Sequence, residues 1–155
     1  MFTQHWRYCM FYVRRFTLVC LCLFASLGAF KALAAEPLEP GDRAAVRLVI
    51  EGQLAAFADD DAEQAFSFAS PTIQEMFITG RNFMDMVRIA YPVVYRPASL
   101  SFQVPYFQGN EVIQTVEMRD AKGSAWTALY TLIRRPDNLW RISGCVLRRG
   151  SGKAV

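Results

Sequence analysis

From Asp42 onward the apolar positions recur every three or four residues. Val46, Val49, Ile50, Leu54 and Phe57 share one face, the spacing of an amphipathic helix, and Asp42 is placed to cap it. Arg47 and Glu51 form an i,i+4 pair on the opposite face. The run Asp59-Asp60-Asp61 ends this helix and opens the next. With Asp60 as cap, Glu63 stands at the third position, a capping-box arrangement, and Ala62, Ala65, Phe66 and Ala69 make a narrow stripe. Ser70-Pro71 reads as a cap followed by a first-turn proline, starting a short helix with Ile73, Met76 and Phe77 inward. Gly80 stops it. Asn82 caps a fourth helix with Phe83, Met86, Val87, Ala90 and Tyr91 on one side, and Pro92 ends that one.

After Pro97 the period changes to two. Leu100, Phe102, Val104 and Tyr106 alternate with Ser99, Ser101, Gln103 and Pro105, which predicts a strand, and Pro105 marks an edge or a bulge because it cannot donate to a ladder. Gly109-Asn110 turns the chain into a second strand, Glu111 to Arg119. Asp120 to Gly123 is a hairpin loop before a third, Ala125 to Arg134. Pro136-Asp137-Asn138 turns into a fourth, Leu139 to Leu147, where Gly144 marks a possible bulge. Short connections predict an antiparallel four-stranded meander. Helices followed by a meander predict a segregated α+β domain, the sheet curling over the long first helix.

The segment before this pattern reads differently. Arg7, Arg14 and Arg15 lead into an apolar run from Phe16 to Phe30, then the small residues Ala32-Leu33-Ala34 and the polar Ala35-Glu36-Pro37. That is the layout of a cleaved secretory signal, and its apolar run is shorter than the roughly 20 residues of a membrane span. The chain divides into a signal peptide over 1–34, a linker over 35–41, the α+β domain over 42–148 and a flexible tail over 149–155. The expected location is periplasmic or secreted. Val19 and Leu21 precede Cys20 and Cys22 where lipid attachment needs a small residue, which argues against a lipoprotein.

The leader also changes the charge. The whole chain carries +3. Arg7, Arg14, Arg15 and Lys31 leave with the leader and no acid does, so the mature chain is at −1. No basic excess remains for neutralising phosphates, which argues against a nucleic-acid partner. Arg134-Arg135 and Arg148-Arg149 read as solvated ends. The single histidine, His5, and three of the four cysteines precede Ala35. The mature chain keeps Cys145 alone and cannot form an internal disulfide, and without histidine the common triads and zinc sites are excluded. No metal and no cofactor are expected. Cys145, set among Trp140, Ile142, Val146 and Leu147, reads as a structural thiol.

Three ordered blocks carry a resemblance: "QLAAFADDDAEQAFSFASPTIQEMF" (Gln53 to Phe77), "FMDMVRIAYPVVYRP" (Phe83 to Pro97) and "WTALYTLIRRPDNLWRISGCVL" (Trp126 to Leu147). Together they resemble the bacterial exported family known as domain of unknown function 4864. That resemblance implies the nuclear-transport-factor-2-like, or cystatin-like, fold, a strongly bent sheet forming a cone around a helix. The fold serves isomerases, dehydratases and plain binding or dimerisation domains, so it supplies no reaction by itself.

Within such a cone the candidate ligand-binding residues are Gln114, Trp126, Tyr130, Tyr91, Tyr95, Arg96 and Asp85. Gln114 shares its strand face with Val112, Val116 and Met118. An inward amide needs a ligand or, more commonly, a backbone or tyrosine partner. Trp126 and Tyr130 lie on one face of their strand and line a cavity or simply fill a core. Tyr91, Tyr95 and Arg96 cluster around Pro92 and Pro97, ringing a pocket mouth with Arg96 gripping an anion, or forming a packed connection. Asp85, between Met84 and Met86, is the candidate general acid or base; the alternative is an acid favouring its helix dipole. Asp59 to Asp61 lack the alternation of a calcium loop and read as caps. The favoured function is a non-catalytic exported module binding a small apolar ligand or an envelope protein, with a homodimer possible and membrane attachment only through an uncleaved leader. The alternative is a small isomerase- or dehydratase-like enzyme using Asp85.

Overall fold

The computed structural model describes residues 38–150. The expected signal peptide, the first three residues of the expected linker and the last five residues lie outside them. Five helices come first: α1 (Pro40–Ala58), α2 (Ala62–Ser67), α3 (Pro71–Phe77), α4 (Gly80–Ala90) and α5 (Pro92–Tyr95). Five strands follow: β1 (Ser99–Phe102), β2 (Tyr106–Gln108), β3 (Glu111–Arg119), β4 (Ala125–Arg134) and β5 (Trp140–Arg149).

The helix series forms as its periodicity predicts, with its starts shifted. Helix α1 begins at Pro40, inside the segment read as linker, because a first-turn proline has no orphaned N–H to satisfy. Asp42 is therefore not its cap; it sits in the first turn and pairs with Arg134 across the domain. Asp61 caps α2, accepting from the Gln64 amide at 2.9 Å, whereas the expected cap Asp60 takes a left-handed φ of 59° in the turn. Ser70 and Pro71 start α3 as expected. Gly80 does not end that helix but opens α4, whose cap is Thr79 and not Asn82. The reason is steric. A Cβ at Gly80 would lie 2.7 Å from the Ala62 carbonyl oxygen, so the glycine is needed for close approach of α4 to α2. Packed between those helices, Met84 is buried, while Ala90 and Met76 are exposed.

The sheet is antiparallel, ordered β1-β3-β4-β5, with β2 also paired to β3. The expected first strand is thus two short ones. Phe102 pairs with Val116 and Tyr106 with Ile113, so the edge chain spends one more residue than β3 over this stretch, a bulge at Gln103–Pro105. Val104 points out to solvent at 69 % exposure. A second bulge lies in β5: Thr131 faces Gly144 but Leu132 faces Ile142, leaving Ser143 over. Trp140 and Ile142 face the core before it; Cys145 and Leu147 do after it.

The core lies between the helices and one face of the curved sheet. Val46, Ile50 and Phe57 from α1 meet Val112, Val116, Ala128, Tyr130 and Leu132 from the sheet. Gln114 shares that inner face, 1 % exposed, as the alternation requires. Its amide nitrogen donates to the Gln103 carbonyl at 2.7 Å and to the Thr115 carbonyl at 2.9 Å. The amide thereby closes the gap that the edge bulge opens. Gln114→Leu is expected to lower stability by about 1 kcal/mol, the net loss of its hydrogen bonds, because the Thr115 carbonyl keeps the Gln103 N–H at 3.0 Å; urea unfolding measures it, and an unchanged midpoint would show that water replaces the amide at no cost.

Candidate functional site

Helices α3 and α4 do not close fully onto the inner sheet face. A cavity of about 290 Å³ opens between them. Ile73, Met76 and Phe77 wall it from α3; Phe83, Met86 and Val87 from α4; Gln53 and Phe57 form one side from α1; Tyr130, Ile142, Gly144 and Cys145 form the sheet side, with Tyr91 and Val94 at the α4–α5 corner. The α3 positions read from sequence as core, but α3 contributes no fully buried residue. Its apolar side faces the opening instead.

The walls are apolar and their few polar groups are mostly committed. Gln53 donates to the Ala65 carbonyl at 3.1 Å, and the Tyr91 hydroxyl donates to the Cys145 carbonyl at 3.3 Å. Tyr130 differs. Its ring is 1 % exposed and its hydroxyl has no hydrogen-bond partner in the protein. Burial raises its pKa well above the ordinary tyrosine value, with the neighbouring Cys145 adding to the rise. Burial also pushes the Cys145 thiol up to about 12, so this cysteine is a neutral, weakly nucleophilic group.

A second, polar cluster lies outside the cavity. The Asp60 carboxylate accepts from the Tyr95 hydroxyl, from Arg88 at 2.8 Å and from Arg96 at 3.0 Å. Both guanidiniums also lie over the Tyr95 ring, 5.3 and 5.0 Å from its centroid. The Tyr95 hydrogen bond, then that of Arg88, holds the Asp60 carboxyl below its usual range. The cluster is exposed and ties the α1–α2 turn to α4 and α5.

The structure therefore brings Tyr91 and Tyr130 to the cavity and places the other expected residues elsewhere. Gln114 serves the edge bulge. Trp126 donates its indole N–H to Asp120 at 3.0 Å, with Arg149 over its ring at 5.3 Å. Tyr95 and Arg96 belong to the Asp60 cluster, where Arg96 already holds a carboxylate. Asp85 stands on the outer side of α4, its side chain 59 % exposed and paired with Arg88 at 3.5 Å. It borders an open groove with Asp60, Asp61, Glu63, Arg81 and Arg88. The expectation of an acid against apolar walls is thus corrected: Met84 and Met86 flank Asp85 in sequence, but the helix turns all three to different sides. The cavity residues missed from sequence (Gln53, Ile73, Phe77, Met86) carry the same three-and-four periodicity as core, and only the packing separates the two.

The family model described as Domain of unknown function (DUF4864) matches residues 39–155, the entire helical and sheet region. The chain belongs to this family. No curated protein matches it. Among solved structures, the DUF4864 chain is similar to a nuclear-transport-factor-2-like protein of unknown function from Silicibacter pomeroyi, at 18 % identity and a TM-score of 0.46, over 73 % of this chain and 100 % of that one. The helices-then-curved-sheet layout is the one that the family resemblance implies, and membership assigns no reaction.

Proposed function

We propose that this DUF4864 domain is an exported module that holds a small apolar ligand between α3, α4 and the inner face of the sheet. The cavity carries the reading. About 290 Å³ stands open to the surface behind aromatic and aliphatic walls. That volume is near the lower end of ligand pockets, about 300–1,000 Å³. An apolar chamber of this kind gains by taking an apolar guest rather than water. The guest fitting these walls is a compact aromatic or a short acyl chain. The leader gives the address: the ligand is met outside the cytoplasm.

The neutral dye N-phenyl-1-naphthylamine tests the reading. Its emission is expected to rise on binding the native protein. Ile73→Trp fills the chamber from the half-buried side of α3 and is expected to abolish that rise while the melting temperature moves by no more than about 2 °C. A dye signal absent from the native protein, or insensitive to Ile73→Trp, would sink the proposal. Native mass spectrometry of protein recovered from its own envelope fraction reads the same question without a dye: the expected species begins near Ala35 or Glu36 and carries an added small mass.

A further inference from the structure

The sheet side of the chamber holds a donor with nothing to bond. Tyr130 on β4 stands opposite Cys145 on β5, and both residues wall the chamber. The Tyr130 hydroxyl is buried and has no hydrogen-bond partner among the described residues. The Trp140 indole N–H is in the same state, but Trp140 does not wall the chamber, and Arg134 lies 5.0 Å over its ring. A buried donor without an acceptor is costly, and native structures keep few of them. The remaining polar walls do not relieve it. The Gln53 amide nitrogen is spent on the Ala65 carbonyl and the Tyr91 hydroxyl hydrogen on the Cys145 carbonyl. A water held at Tyr130 is thus left short of the partners that fix a buried water. None of the described residues walling the chamber is charged. Burial keeps the Tyr130 hydroxyl and the Cys145 thiol protonated at neutral pH, so the sheet side is neutral as well.

We propose that the guest of this chamber is a neutral molecule with a carbonyl acceptor, a ketone, ester or amide on an aromatic or short aliphatic body, and that its oxygen accepts from the Tyr130 hydroxyl. This rests on the reading of the chamber as a ligand site and adds to it the group that orients the guest. The chemistry follows from what the walls lack. A pure hydrocarbon fills the space but leaves the hydroxyl orphaned, with the cost of burying it unrecovered. A guest that only donates leaves the phenol proton unspent. A carboxylate supplies an acceptor, but its charge enters an apolar space with no arginine or lysine on the walls to balance it, and burying an unpaired charge costs far more than burying a bonded dipole. A carbonyl oxygen meets both demands: it takes the proton that the protein leaves unpaired and brings no charge. Selection by a single polar group in an apolar pocket fixes orientation, because only one end of the guest finds a partner.

Three naphthalenes of nearly equal shape test this by displacing N-phenyl-1-naphthylamine at neutral pH: the ketone 2-acetonaphthone, its carbon isostere 2-isopropenylnaphthalene, and the anion 2-naphthoate. The native protein is expected to hold the ketone about a hundredfold more tightly than the anion. Tyr130→Phe keeps the ring and removes the donor. It is expected to lower the affinity for the ketone relative to the isostere by about tenfold. The melting temperature of the free variant is expected to equal or exceed that of the native protein, since no bond within the protein is lost. A ketone-to-isostere ratio that survives Tyr130→Phe overturns the proposal. So does naphthoate binding as tight as that of the ketone. A free Tyr130→Phe protein that melts several degrees lower overturns it too, by revealing an acceptor inside the protein. In each of these cases the isostere still displaces the dye from the native protein, and the chamber stands as a ligand site. A native protein that takes up neither the dye nor any of the three removes the chamber reading itself, and this inference with it.

Discussion

Phe57→Ala is expected to lower the unfolding free energy by about 3–5 kcal/mol, the range for emptying a buried aromatic site. Phe57 is 1 % exposed, and its ring centroid lies 6.0 Å from that of Phe83 and 6.4 Å from that of Tyr95. It also borders the cavity. Truncation there joins new empty space to old, and surrounding side chains that already fail to fill the chamber cannot collapse into the gap. The cost therefore falls toward the upper end. Urea unfolding at unchanged m value measures it. Leu48→Ala, on the same helix at 66 % exposure, is the control and is expected to shift stability by no more than about 0.5 kcal/mol. A loss under about 1 kcal/mol for Phe57→Ala would mean that α3 and α4 move in to close the space.

The second large effect is alkaline. A thiol in an unfolded chain titrates near pH 8.5, and burial pushes the Cys145 thiol up to about 12. Below the unfolded value both states keep the proton, and the full stability is present. Above it the unfolded chain releases a proton that the folded chain retains, so unfolding is favoured more at each step. Stability is expected to fall by about 1.4 kcal/mol per pH unit from this group alone. Tyr130, raised well above its ordinary value by burial, adds a second loss of the same sign from about pH 10 upward. Cys145→Ala removes the first component and leaves the second. Urea midpoints collected from about pH 7 to pH 11 separate them: the native curve bends downward first and the variant later. Parallel curves for the two proteins would show that the thiol opens to solvent and titrates freely.

Much of the architecture was legible because it depends on local periodicity. The face of α1, the Ser70-Pro71 start of α3, the three hairpin-linked strands and the inward aim of Gln114 all follow from spacing along a few residues. What failed depended on partners distant in sequence. Gly80 resembles a helix stop until the Ala62 carbonyl is seen against it. Asp60 resembles a cap, but its partners Arg88, Tyr95 and Arg96 come from two later helices. Pro105 announced a break, though not that Gln114 would span it. The cavity was the least legible feature. Ile73, Phe77 and Met86 alternate as core residues do, and a half-filled chamber has the same apolar signature as a filled one. A difference of packing, decided by how closely three helices approach one sheet, leaves no mark on the pattern itself.

The extra residue at Ser143 puts β5 in two phases. Before it, even-numbered residues look inward; after it, odd-numbered ones do. A deletion of Ser143 would therefore remove the bulge and leave Gly144 opposite Thr131 with Cys145 and Leu147 still inward, whereas one further residue taken into the ladder there would turn Cys145 and Leu147 to solvent and drive Val146 and Arg148 into the core. The same logic applies to comparing relatives. Against a relative without the extra residue, leaving out the one-residue gap at Ser143 exchanges inside for outside over the rest of the strand, and with it the residues that belong to the chamber and those that belong to the surface behind it.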